Sequence, residues 1–126
     1  MMLRFLLIFS LVLLEQAEPI KAISYNIRYK NPNDGINIWE NRRETVATIL
    51  NDQNADFVGL QEVLFLQLQD LIEALKNYDH IGVGREDGKT KGEYSPIFYK
   101  KEKYKLLESN TFWLSKTPDV VSKGWD

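Results

Sequence analysis

Phe57-Val58-Gly59-Leu60 is an uninterrupted apolar run, too short for a helix, and it stops abruptly at Gln61-Glu62. Such a run reads as a strand buried on both faces. Its neighbours must therefore supply cover, and its end carries a carboxylate. Immediately downstream, Leu64, Leu68, Leu71, Ile72 and Leu75 follow at offsets of four, seven, eight and eleven, the spacing of one helical face. That helix covers one face of the sheet.

The remaining segments fall into place around this unit. Ile20 to Ile27 alternates, with Ile23, Tyr25 and Ile27 on one side and Ala22, Ser24 and Asn26 on the other, so Asn26 lies near a strand end. The turn formers Asn31-Pro32-Asn33-Asp34-Gly35 follow. Trp39, Val46, Ile49 and Leu50 then mark a second helix that ends by Asn54. Tyr78 to Val83 is a short strand, and Gly84 to Gly92 is a charged, glycine-bounded loop. Tyr94 to Tyr99, Tyr104 to Glu108 and Thr111 to Leu114 are expected to be strands in close antiparallel succession. The order strand, helix, strand, helix and then strands predicts an α/β domain. Its sheet carries helices on one face and needs another partner for the other.

The first residues obey a different rule. Arg4 precedes the apolar run Phe5 to Leu14, broken only by Ser10 and ended by Glu15, Gln16 and Glu18. The run is about half the length of a membrane-spanning helix, so residues 1–17 read as a signal peptide cleaved near Ala17. A secreted or periplasmic location is expected, and no stable membrane span. Cysteine is absent from the 126 residues, which excludes disulfides, thiolate zinc sites and a cysteine nucleophile. Sixteen basic against eighteen acidic residues give a net charge of -2, so nothing in the overall balance attracts a polyanion.

Residue chemistry narrows the candidates without deciding among them. Glu62 is either a solvated strand-end glutamate or an oxygen ligand for a hard cation such as Mg²⁺. Asn26 and Arg28 are either a loop cap with a surface arginine, or a pair that holds a phosphate or a metal-bound water. Glu93, ahead of a strand rich in aromatics, has the chemistry to orient an imidazole. His80 is assigned no role, Arg42-Arg43 reads as a solvated or ion-paired helix face, and Lys100, Lys101, Lys103 and Lys105 as a solvated edge.

Taken together, the segments resemble the endonuclease/exonuclease/phosphatase superfamily, whose members include deoxyribonuclease I, apurinic endonucleases, sphingomyelinases, inositol polyphosphate phosphatases and the deadenylase and nocturnin group. The resemblance rests on Ser24-Tyr25-Asn26-Ile27-Arg28-Tyr29, on Trp39 with Arg42-Arg43 and Ile49-Leu50, and on Asp56 to Val63. It continues through Ile81 to Gly88 and Gly92 to Tyr99. The motifs around Gly84-Arg85-Glu86-Asp87-Gly88 and Thr111-Phe112-Trp113-Leu114-Ser115 look most like secreted bacterial branches.

The resemblance implies a four-layer α/β/β/α sandwich, of which residues 20–126 would form the amino-terminal half: one mixed sheet with helices on one face. It implies that Glu62 binds Mg²⁺ or Mn²⁺, that Asn26 lies near the metal and the scissile phosphate, that Arg28 contacts a phosphate, and that Glu93 supports a catalytic histidine. Arg85 is a further candidate for the substrate phosphate. Leu64 stands where deoxyribonuclease I has an arginine, which weakens the case for DNA-backbone contact there. The family's Thr-His, Gly-Asp-Phe-Asn and Ser-Asp-His motifs have no counterpart in the sequence. The expected activity is thus metal-dependent hydrolysis of a phosphoester, small or nucleic, by a longer parent protein, with this chain inactive alone. The alternative is a non-catalytic ligand-binding module on the same fold; no protein partner is expected in either case.

Overall fold

The computed structural model describes residues 18–124. The expected signal peptide, residues 1–17, lies outside the described residues, and among them no helix is long and apolar enough to cross a membrane. Four strands form one mixed sheet: β1 (Ala22–Asn26), β2 (Phe57–Gln61), β3 (Tyr78–Ile81) and β4 (Ile97–Lys100), in the spatial order β1-β2-β4-β3. β1 and β2 are parallel, with Asn26 beside Gln61, because the chain between them crosses over through α1 (Trp39–Gln53). β4 then inserts antiparallel between β2 and β3, after α2 (Phe65–Ala74) has returned the chain.

The register sorts every strand residue onto one of two faces. Tyr25, Val58, Leu60 and Phe98 point toward the helices, where Trp39, Val46 and Leu50 of α1 and Leu68 and Leu71 of α2 complete a close-packed core. α1 stops at Asn54, which adopts a left-handed conformation (φ 45°, ψ 39°), as asparagine tolerates at a helix end. Leu68 and Leu71 on α2 and Leu75 at its C-terminal cap are buried as expected, whereas Ile72 is 40% exposed at the edge of the stripe.

The opposite face bears Ala22, Ser24, Phe57, Gly59, Ile97 and Tyr99. Residues beyond β4 arch back over part of it: the Tyr104 ring lies 4.5 Å from that of Phe57, and Trp113 donates to the Arg85 carbonyl at 2.7 Å. A cavity of about 450 Å³ remains between Ile81 and Ile97 on the sheet and Asn110, Thr111 and Trp113 on the returning segment. Here the expectation of further strands is corrected. Neither Tyr104 to Glu108 nor Thr111 to Leu114 is a strand, because a strand exists only with a ladder partner and none of the described strands pairs with these segments. Leu107, Phe112 and Leu114 of these segments stay in water, at 89%, 67% and 73% exposure.

A second correction concerns the lysines at the end of β4 and just after it. Lys100 and Lys103 are not a solvated cluster: their ammonium groups lie 3.8 and 3.1 Å from the buried carboxylate of Asp56. Asp56 also accepts the Lys21 N–H at 2.8 Å, so it ties the starts of β1 and β2 to the end of β4. The Lys21 N–H and the Lys103 ammonium hold its carboxyl below the usual carboxylate range. A carboxyl depressed in the folded state contributes stability above its unfolded pKa and loses it as pH falls through the folded value. Acid titration of the unfolding midpoint should therefore show a loss beginning near the ordinary aspartate pKa, and Asp56→Asn should flatten that part of the curve. An unchanged acid limb in the variant would assign the loss to other carboxylates.

Candidate metal centre

Asn26 ends β1 and Glu62 follows β2, and because these strands are parallel neighbours in register, both side chains emerge at the same sheet edge. Asn26 donates its Nδ2–H to Glu62 Oε1 at 2.8 Å, and the Tyr29 backbone N–H donates to Glu62 Oε2 at 3.1 Å. The Arg28 N–H in turn donates to Asn26 Oδ1 at 2.9 Å, so the amide is fixed with its oxygen toward the loop and its nitrogen toward the carboxylate. These donors, Asn26 first and Tyr29 second, with the Arg28 charge nearby, hold the Glu62 carboxyl below the usual range. It is ionised at neutral pH and keeps lone pairs on both oxygens.

The backbone is strained at both strand exits. Arg28 (φ 62°) and Glu62 (φ 59°) are left-handed without being glycine, a conformation that costs ~1–3 kcal/mol and persists only when the surroundings enforce it. The strain turns Arg28 away from the line of β1: its guanidinium makes a two-pronged pair with Asp34, Nε to Oδ2 at 3.1 Å and Nη2 to Oδ1 at 2.9 Å, and lies over the Tyr29 ring. Arg28 is therefore beside the Asn26–Glu62 pair but anchored outward, with its side chain about half exposed at 48%.

Arg42 corrects the reading of a solvated helix face. Its guanidinium donates to three carbonyls, Ile27 at 2.7 Å, Arg28 at 3.2 Å and Asn37 at 2.6 Å, and so fastens α1 to the exit of β1. Arg43 stays half exposed, 3.9 Å from Asp70. His80 stacks on Phe98 with ring centres 5.5 Å apart.

Glu93 and Arg85 form a separate pair at 3.2 Å. They meet because the Gly84 to Gly92 loop folds tightly on itself: Asp87 Oδ1 accepts the Lys89 and Lys91 N–H groups, and a Cβ on Gly84 would fall 2.3 Å from the Lys91 carbonyl oxygen, so no larger residue fits there. The isolated bridge between Val63 and Tyr94 brings this loop's base alongside the residue after Glu62. The structure thus unites Asn26 with Glu62, places Arg28 next to them, and leaves Arg85 with Glu93 as an outer pair.

Among the described residues no three His, Asp or Glu side chains converge as a metal cage. Mg²⁺ does not require one, since it keeps several waters and commonly uses one or two carboxylates with substrate phosphates. One ionised carboxylate beside an amide at an open strand end fits that donor chemistry. Two groups were missed in the sequence, Asp34 and Gln67. Asp34 sits within a loop that was legible only as a turn. Gln67 lies on the apolar stripe of α2, and a polar residue on a buried stripe is the signal that it must be hydrogen-bonded to something.

Comparison with known proteins bears on this geometry. No protein-family model matches the sequence. The structure of an endonuclease/exonuclease/phosphatase from Bacteroides vulgatus is similar to this chain with a TM-score of 0.83 and 53% identity, over 85% of this chain and 41% of the other. A mannosyl-6-phosphatase from Bacteroides thetaiotaomicron gives a TM-score of 0.82 and 46% identity, over 86% and 41%. Among curated sequences, the CCR4-Not complex 3'-5'-exoribonuclease subunit Ccr4 of Phaeosphaeria nodorum is 31% identical over 119 residues, 79% of this chain and 20% of that protein. The chain thus spans about two fifths of the structures it matches and a smaller share of this curated relative.

Proposed function

Taking as premise that the chain belongs to the endonuclease/exonuclease/phosphatase superfamily, we propose that it supplies the metal- and phosphate-binding side of an active site for metal-dependent phosphoester hydrolysis. The observation that carries the proposal is the ionised Glu62 carboxylate, held by Asn26 and the Tyr29 N–H at a strained strand exit. Mg²⁺ or Mn²⁺ on Glu62 would supply positive charge to a phosphoryl oxygen as negative charge builds up on it. Asn26 uses one N–H on Glu62 and offers the other to the phosphate. Arg28 spends two of its five N–H groups on Asp34 and keeps the rest for the same oxygens. Arg85 reaches a substrate phosphate from its loop in this proposal, and Glu93 orients a catalytic imidazole; the ion pair between them must open for either role.

Within the class, a phosphate monoester on a sugar is the substrate proposed. The similarity to a mannosyl-6-phosphatase at 46% identity is greater than that to the exoribonuclease subunit at 31%, and a net charge of -2 supplies no overall attraction for a nucleic-acid strand. Action outside the cytoplasm is part of the same proposal and rests on the sequence of residues 1–17. The test, made on the longer parent protein, is a panel of mannose 6-phosphate, a dinitrophenyl phosphodiester and single-stranded RNA, each with Mg²⁺ and again after EDTA. Release of phosphate from the sugar ester that stops with EDTA and returns with Mg²⁺ is the expected result. Hydrolysis that survives EDTA would defeat the metal-dependent reading, and preference for RNA would move the substrate to nucleic acid.

A further inference from the structure

Gln67 is a polar side chain with no exposed surface, on the first turn of α2, and its side-chain hydrogen bonds lead to the two strained strand exits. Its Oε1 accepts the Lys30 N–H at 2.8 Å and the Leu64 N–H at 3.1 Å, and its Nε2 donates to the Arg28 carbonyl at 3.0 Å. Lys30 and Arg28 follow β1, while Leu64 follows Glu62. One buried amide therefore cross-links the segment that supplies Asn26 and the Tyr29 N–H to the segment that supplies the carboxylate. The Arg28 carbonyl that it holds is the same one that Arg42 grips from α1. Arg28 and Glu62 are both left-handed without being glycine, and these bonds fix the segments that carry Asn26 and Glu62.

We propose that Gln67, assisted by Arg42, is a positioning residue that sets the affinity of the Asn26–Glu62 centre for a divalent cation. The inference rests on the proposed reading of Glu62 as a metal ligand and extends it to residues that never touch the ion. Groups that orient metal ligands without binding the metal change affinity by about 10- to 100-fold when removed. Gln67→Met keeps the length and packing of the side chain and deletes all three hydrogen bonds. Arg42→Lys keeps the charge but loses the planar fork that spans the Ile27 and Arg28 carbonyls.

The experiment is titration of the chain with Mn²⁺, followed by water-proton relaxation, for the wild type, Gln67→Met, Arg42→Lys and Leu71→Ala. Leu71 is a buried apolar residue of the same helix whose side chain offers the strand exits no hydrogen bond, so its truncation reports loss of packing. The expected result is about 10-fold or greater weakening for Gln67→Met, a smaller weakening for Arg42→Lys, and wild-type affinity in folded Leu71→Ala. Wild-type affinity in both Gln67→Met and Arg42→Lys would overturn the inference and leave Glu62 as a ligand. Equal weakening in Leu71→Ala would also overturn it, by showing that general destabilisation is sufficient. If Gln67→Met does not fold, Arg42→Lys alone decides. A wild-type chain that takes up no Mn²⁺ overturns the reading of Glu62 itself, and the inference with it.

Discussion

In the longer parent protein, replacing Glu62 by glutamine should lower turnover of a phosphoester by about a thousandfold and leave the fold intact. Charge stabilisation by a bound cation is worth several kcal/mol, and each 1.36 kcal/mol is a tenfold change in rate. Glutamine has nearly the same shape but no negative charge, and its amide nitrogen must face one of the two donors, Asn26 Nδ2–H or the Tyr29 N–H, that the carboxylate now satisfies. Both the affinity for the ion and its placement are lost. The variant sits at a partly open strand end rather than in the core, so its far-ultraviolet circular dichroism should match the wild type. The check is kcat/KM for the preferred substrate across a Mg²⁺ titration, with Mn²⁺ uptake measured in parallel. Wild-type kcat/KM in the variant would remove the central residue of the proposed mechanism.

The largest effect on stability is expected from Phe98→Ala. Phe98 is 1% exposed at the centre of β4; Val58 of β2 stands opposite it on one side, and the His80 ring stacks on it from the other. Truncation removes most of a buried aromatic and leaves a cavity that the flanking strands cannot close. Such changes cost ~3–5 kcal/mol, a large share of the ~5–15 kcal/mol that separates folded from unfolded domains. The denaturant midpoint of the variant, at unchanged slope, measures that loss. A cost below ~1 kcal/mol would mean that the helices collapse onto the sheet to refill the space. Because β4 joins β2 to β3, the damage should extend to the whole sheet, whereas Glu62→Gln acts at its tip.

The legible parts of this fold were those with a local physical signature. The apolar run at Phe57 to Leu60 and the leucine stripe of α2 follow directly from side-chain periodicity. The strand at Ile97 to Lys100 was read slightly early, from Tyr94, because the chain first makes an isolated bridge from Tyr94 to Val63 before it enters the sheet. Tyr104 to Glu108 and Thr111 to Leu114 carry strand-like composition with no partner to bond, and composition alone does not reveal that. Lys100 and Lys103 read as solvated because the carboxylate that gathers both, Asp56, is more than forty residues earlier in the chain.

The same division runs through the site. That a carboxylate closes one buried strand and an asparagine another follows from the order of residues alone. That these two strand ends are parallel neighbours, that the Asn26 amide points its nitrogen at Glu62, and that Arg28 turns outward to Asp34 are properties of the folded chain. Helix packing also lets Gln67 bond both exits and Arg42 bond the exit of β1. The physical reason is that a left-handed turn at a residue with a side chain is unfavourable locally. It is stabilised by hydrogen bonds from groups far away in sequence, and those exist only once the helices are packed on the sheet.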